Sequence, residues 1–233
     1  ETHIITGATT AIRNLVKCVS EVGADIECMV FGGIAASMSV LTETEKELGV
    51  VLVDIGGGTT EIVIFIEGAP AYSSVLPLGA KNVTNDLAIG LRLSLENAEK
   101  LKLALSQEIK KAAKPDEEEK DEEKIPSDEV DLASLGIYDE ARTVSRKTLI
   151  EGIIKPRLNE IFTMVGLEIK KSGFGGQTPS GLVITGGGAR TIGAVESAKR
   201  MLAMPVRIGI PQDIKGIIDE VEDTPFAAVI GLC

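Results

Sequence analysis

Residues 50–65, VVLVDIGGGTTEIVIF, set Asp54 and three consecutive glycines between two runs of aliphatic and β-branched residues. Residues 50–54 form a nearly unbroken apolar run, the pattern of a strand buried on both faces. Residues 61–66 read as a second strand and residues 72–77 as a third, so the trio predicts an antiparallel meander. Glycine has no Cβ, so the main-chain N–H groups of Gly56, Gly57 and Gly58 can stand directly against a ligand. A nest of such donors suits phosphate oxygens. A carboxylate beside it repels a phosphate unless a cation stands between them, which makes Asp54 a candidate ligand of Mg2+ or of its water shell. Thr59 and Thr60 add hydroxyl donors.

The same design returns at residues 182–190, LVITGGGAR: an apolar strand, three glycines, then a helix predicted over 192–202. Flat backbone at Gly186, Gly187 and Gly188 can pass along a purine and its ribose, and a helix N-terminus favours anions. Neither turn is a P-loop, because no Gly-Lys-Ser/Thr follows. Neither is a dinucleotide fingerprint, because the G-x-G-x-x-G spacing is missing.

Outward from these turns the chain alternates strands and helices. Residues 3–6 and 26–31 read as short strands around a helix whose apolar face is Ala11, Leu15, Val16 and Val19, ended by Gly23. Residues 34–41 are rich in Ala and Ser and should pack closely against neighbouring backbone. Helices are predicted over 82–91, 95–105 and 144–169, the last with Leu149, Ile153, Leu158, Ile161 and Val165 on its apolar face. Residues 173–180 are a Gly/Pro/Ser turn, VRIGIP (206–211) is a final strand, and FAAVIGLC (226–233) opens a last helix. No tandem repeat is visible. Residues 110–128 break the pattern with charge and two prolines, as an insertion or loop does.

The 233 residues carry a net charge of −11. Residues 116–129 hold nine acids against two lysines, so −7 is local and −4 is left for the rest. An acidic surface of this kind argues against nucleic acid as a partner. Cys18, Cys28 and Cys233 lack metal-ligand spacing and fit a reducing cytoplasm. No apolar stretch reaches the roughly 20 residues of a membrane span. Nothing reads as a signal peptide, and a first residue Glu1 suggests a fragment or processed product.

With these motifs in place the chain resembles the actin-like ATPase superfamily. VDIGGGTTEI (53–62) is similar to its phosphate-2 motif and VITGGGAR (183–190) to its adenosine motif. Within the superfamily, SVLTETEKELGVVLVDIGGGT (39–59), KTLIEGIIKPRLNEI (147–161) and PVRIGIPQDIKGI (205–217) resemble the bacterial cell-division FtsA family. The likeness covers all but residues 110–128. It implies an α/β, ribonuclease H-like fold, of which this chain is the second lobe, with a mixed five-stranded sheet flanked by helices. Residues 1–48 would hold the end of subdomain 1C and the first crossing between lobes. Residues 49–79 and 173–222 would be subdomain 2A, residues 80–172 subdomain 2B, and residues 223–233 the second crossing.

The resemblance also implies ATP and Mg2+ as ligands. Glu99 would take a ribose hydroxyl, Lys102 would lie along the base or phosphates, and Gly79 would be a further backbone approach to the nucleotide. Proteins of the family bind the acidic C-terminal tail of the tubulin-like FtsZ through 2B. Arg142, Arg146, Lys147, Lys155 and Arg157 are the basic residues that would receive it, with Arg142 and Arg157 the first choices. The acidic loop at 110–128 would compete for that face. Self-association into actin-like filaments, contact with other division proteins and a place at the inner membrane face of the division site are implied too, the membrane being reached through a helix absent from this chain.

No Asp-x-Gly phosphate-1 strand precedes these elements. Where actin offers a polar side chain to orient the attacking water, the matching stretch here is FGGIAAS (31–37), with Gly32 and Gly33 and no acid or amide. Slow hydrolysis at best is therefore expected. Two other readings share the fold. A small-molecule kinase would use Asp54 as its base, but no sugar-binding constellation accompanies it; a chaperone-like ATPase would carry a peptide-binding β domain, which the sequence does not show.

Overall fold

The computed structural model describes residues 2–112, 128–138, 143–212 and 223–233. Arg142 and most of the acidic stretch at 110–128 lie outside the described residues.

Three strands make the expected meander: β1 (Val50–Ile55), β2 (Thr60–Ile66) and β3 (Ala69–Leu76). Strand β6 (Leu182–Thr185) lies parallel to β1, and β7 (Val206–Ile208) lies parallel to β6. The order β3-β2-β1-β6-β7 is therefore a mixed five-stranded sheet with β1 at its centre. That position explains the unbroken apolar run, since a central strand buries both faces. The alternation of side chains sorts them. Val51, Val53, Ile62 and Ile64 point to one face and Val50, Leu52, Val63 and Phe65 to the other.

The first face is covered by α4 (Ala80–Leu91), α5 (Leu95–Ala112), α7 (Lys155–Ser172) and α8 (Ala194–Leu202). The second is covered by α2 (Gly32–Val40) and α9 (Ala227–Ile230). The small residues of α2 do pack against backbone. The Ser39 hydroxyl donates to the Ala227 carbonyl at 2.7 Å, and a Cβ on Gly231 would collide with the Ala35 carbonyl. A short helix α3 (Glu43–Leu48), opened by a capping box between Thr42 and Glu45, leads into β1.

Some elements depart from expectation. Residues 3–6 and 26–31 form no strand. A strand needs a neighbour for its backbone hydrogen bonds, and among the described residues none pairs with either stretch. The intervening helix α1 (Thr9–Glu21) does form, yet none of its residues is buried. The helix predicted from 144 begins instead with α6 (Arg146–Leu149). Val144 pairs with Val130 in a two-stranded ribbon, β4 (Glu129–Asp131) with β5 (Thr143–Ser145). Ser145 then caps α6 by accepting the Thr148 N–H at 3.2 Å. Residues Ile150–Ile154 make a π-helical turn between α6 and α7. Pro156, in the first turn of α7, has no N–H and would crowd the carbonyl four residues back, and the widened turn relieves both problems.

Candidate functional site

The two glycine turns meet at one cleft of about 690 Å³. The hairpin turn contributes Gly57, the turn after β6 contributes Gly187 and Gly188, and α5 contributes Glu99 and Lys102. Three separate stretches of sequence thus reach one cavity, because β1 and β6 are adjacent parallel strands whose C-terminal ends open on the same side.

The glycines divide their roles. A Cβ on Gly58 or Gly187 would meet nothing within 4 Å, so these two leave main chain open to a ligand. Gly186 has φ +83, and its Cβ would strike Asp54 Oδ1 and, at 2.6 Å, the Ile55 carbonyl oxygen. A Cβ on Gly188 would collide with the Ile55 side chain. Those two let the second turn pack on the end of β1. Gly56 closes the first turn by donating its N–H to the Thr59 carbonyl at 2.8 Å.

Two of the residues expected at the ligand have packing roles in this structure. A Cβ on Gly79 would lie 2.6–2.7 Å from the Gly56 and Gly57 carbonyl oxygens, so its bareness serves packing of α4 on the glycine turn. The Thr60 side chain is buried, and its hydroxyl donates to the Leu78 carbonyl at 2.8 Å, bracing the turn from behind. Thr59 remains exposed.

On the cleft wall, Lys102 is buried, with only 5% of its surface exposed. Its Nζ donates to Thr84 Oγ1 at 2.9 Å, to the Ala80 carbonyl at 3.3 Å and to Glu99 Oε2 at 2.8 Å. The Thr84 hydroxyl donates to the same Glu99 oxygen at 2.5 Å. Burial pushes the Glu99 carboxyl up, but the hydrogen bonds from Lys102 and Thr84 outweigh it and hold the group below the usual carboxylate range. Glu99 keeps its other oxygen for a hydroxyl ligand. Lys102 fixes α5 to α4 from within the wall.

Asp54 and Glu61 are register partners across β1 and β2. They share the sheet face that carries α2, away from the walls of the cleft. Burial first, then the charge of Glu61, pushes the Asp54 carboxyl up to about 6. Burial also raises Glu61, against the lowering effect of the Gly33 N–H. Glu61 Oε2 is buried without a hydrogen-bond partner. Its carboxylate lies so close to α2 that a Cβ on Gly32 would come within 2.8 Å of it. The start of α2 therefore does have an acid beside it, supplied by β2 across the fold. FGGIAAS itself carries no acid or amide, as its sequence says, and the acid beside it belongs to a distant segment. A polar residue inside the apolar run of β2 was the available signal.

A hard divalent cation uses one or two carboxylates plus phosphate oxygens and water, and Asp54 and Glu61 offer two carboxylates on one sheet face. Among the described residues no group of three or more His, Cys, Asp or Glu is placed to hold a metal by itself. Sequence reasoning also missed Lys81 and Arg190 in the cleft wall. Arg190 is ion-paired with Asp223, Nε to Oδ1 at 2.9 Å.

The basic residues expected to receive a partner are distributed over α6 and α7. Lys147 is exposed, and its backbone N–H donates to Asp128 at 3.0 Å. Lys155 pairs with Glu151 at 2.5 Å. Arg157 is bidentate to Asp86 of α4, Nε to Oδ2 at 2.7 Å and Nη2 to Oδ1 at 3.0 Å, and also pairs with Glu160. Arg146 opens α6 with its N–H donated to the Asp128 carbonyl at 2.5 Å.

Comparison with known proteins agrees with this architecture. Residues 51–231 match the family described as "Cell division protein FtsA". The chain is 40% identical over 230 residues to the cell division protein FtsA of Pseudomonas aeruginosa, covering 99% of this chain and 52% of that protein. It is 39% identical to the Neisseria meningitidis protein of the same name, covering 99% of this chain and 53% of that one. The chain thus spans about half the length of the curated relatives it matches. Among solved structures, MreB5 of Spiroplasma citri bound to ADP superposes with a TM-score of 0.66 at 19% identity, over 97% of this chain and 65% of that one. The same protein bound to AMPPNP gives 0.66 as well. On its sequence this chain belongs to the FtsA cell-division family, and it carries the actin-like fold.

Proposed function

We propose that the protein is an ATP-binding adaptor of cell division, which polymerises and tethers FtsZ filaments to the inner membrane face, and that this chain is its nucleotide-binding and FtsZ-tail-binding half. The observation that carries the reading is the convergence of Gly57, Gly187, Gly188, Glu99 and Lys102 on one cleft. MreB5, of the same fold, is bound to ADP and to AMPPNP in its crystal structures. In this reading residues 49–79 and 173–222 form the nucleotide core, residues 80–172 the partner-binding subdomain, and residues 1–48 and 223–233 the crossings to the other lobe. The other division proteins, the membrane and like copies of the chain are partners of the whole protein.

The purine and ribose occupy the cleft between the second glycine turn and α5, with Glu99 accepting a ribose hydroxyl. The phosphate tail runs over the first glycine turn, where the open main chain at Gly58 donates to it. Asp54 would hold Mg2+, which would supply positive charge between that carboxylate and the phosphates bound by the N–H groups of the turn. Glu61, half-buried beside α2, accepts the Gly33 N–H and keeps Oε2 without a partner, so in this reading a slow hydrolysis has a base available. The acidic tail of FtsZ docks on the face of α6 and α7 that presents Lys147 and Arg157.

The test is protection of the intact protein by ATP·Mg against heating and limited proteolysis, read beside sedimentation. A rise in melting temperature that Glu99→Ala removes is expected. No protection at millimolar ATP·Mg would overturn the reading.

A further inference from the structure

The helix α4 touches both ends of the proposed function. At its start, the Ala80 N–H donates to the Gly56 carbonyl at 2.9 Å and the Lys81 N–H to the Gly57 carbonyl at 2.8 Å. These are the two residues that shape the first glycine turn, so the first turn of α4 and the nest are hydrogen-bonded into one piece. At its other end, Gly90 meets the π-helical turn: a Cβ there would lie 3.0 Å from Ile153 Cδ1. Between the two, Asp86 is held by both arms of the Arg157 guanidinium, and both side chains are about three-quarters buried. A helix of 12 residues is about 18 Å long, and it moves as a rod on this scale.

The π turn supplies the place where such a rod can shift. It joins α6, which carries Arg146 and Lys147, to α7, which carries Lys155 and Arg157. A π turn inside a helix is a local register defect, and such defects concentrate at functional sites. Arg157 can satisfy a planar carboxylate bidentately only once at a time on its Nε and Nη2 edge. Asp86 occupies that edge, and Glu160 takes the remaining nitrogen.

We infer that α4 couples the two sites negatively: an acidic ligand that takes the Arg157 guanidinium from Asp86 releases α4, loosens the glycine turn and weakens the grip on nucleotide. This inference rests on the nucleotide and acidic-tail reading above and names the residue pair that links its two halves. The two states differ in one exchange, Arg157 on Asp86 or Arg157 on the incoming carboxylate. By linkage the effect is reciprocal, so bound nucleotide lowers affinity for the acidic ligand by the same factor.

The experiment is calorimetric titration of ATP·Mg into the intact protein, with and without a saturating synthetic peptide of the FtsZ C-terminal tail. In the natural protein the peptide is expected to weaken ATP binding roughly 5- to 50-fold. In Asp86→Asn, ATP binds with about that weakened affinity even without peptide, and the peptide adds less than about a twofold change. Asp86→Glu restores the dependence. Both ligands bound by the natural protein with no mutual effect would overturn the inference and leave the proposed function standing. So would an undiminished peptide effect in Asp86→Asn. Failure of the natural protein to bind ATP at all overturns the cleft reading and this inference together. The comparison in the natural protein needs no variant, so poor folding of Asp86→Asn does not shield the inference.

Discussion

Asp54 and Glu61 face one another across the central hairpin, two carboxylates on one sheet face with the bare start of α2 beside them. Neither has a cation among the described residues, and each is pushed above its usual range, Asp54 to about 6. Every other strand position in β1 is apolar. The fold thus accepts a local electrostatic penalty at one point, and such penalties collect at sites that bind something.

That penalty has a pH signature. Asp54 is raised from 3.8 to about 6, so its folded form prefers the proton. Stability from this group is present in full below pH 4 and is lost as pH rises through 6. Asp54→Asn should therefore stabilise the metal-free protein by about 2 kcal/mol at pH 7.5 and by nothing at pH 4. Chemical denaturation at the two pH values measures the difference. Millimolar Mg2+ with ATP should shrink the gap at pH 7.5, because a bound cation favours the ionised carboxylate. A gap of equal size at both pH values would show that burial of the charge is not its cause.

Gly186 and Gly187 are neighbours with opposite sensitivities. Ala at 186 must adopt a positive φ and push into Asp54 and Ile55, at a cost of about 2–4 kcal/mol. Ala at 187 points into open space and should change stability by less than about 0.5 kcal/mol. The second variant should nonetheless weaken ATP binding about tenfold or more, since its methyl group takes up the space left for ligand. Thermal melts with and without ATP·Mg separate the two cases.

Lys102 should matter as a brace. Lys102→Met removes a buried cation and leaves the part-exposed Glu99 with its hydrogen bond from Thr84. A loss of about 1–2 kcal/mol is expected. Glu99→Gln combined with Lys102→Met should recover part of it, because no unpaired charge then remains. A double-mutant cycle on the melting free energies reads the recovery directly.

On the basic face, Arg157→Ala and Lys147→Ala should part company. Both should weaken an FtsZ-tail peptide. Only Arg157→Ala should also lower stability, by about 1–2 kcal/mol, because it frees the largely buried Asp86 that the guanidinium holds in two hydrogen bonds. Lys147 is exposed and its loss should leave the melting temperature within about 1 °C. Equal effects on stability would contradict the clamp.

The sequence by itself determined the hairpin, the second glycine turn, the helices of the core face and the membership of residues 51–231 in one family, because each is written in local periodicity and local turn chemistry. Val50–Ile55 could be read as a central strand because burial on both faces leaves no polar alternation. The tertiary structure alone decided which polar residues meet. Glu61 reaches the start of α2 by strand register, Thr60 turns its hydroxyl inward to Leu78, and Arg157 finds Asp86 some seventy residues away. Those outcomes depend on contacts between distant segments, which neighbouring residues in the chain do not encode. The strands expected at 3–6 and 26–31 failed for the same reason, since a strand exists only where another backbone lies alongside to share its hydrogen bonds.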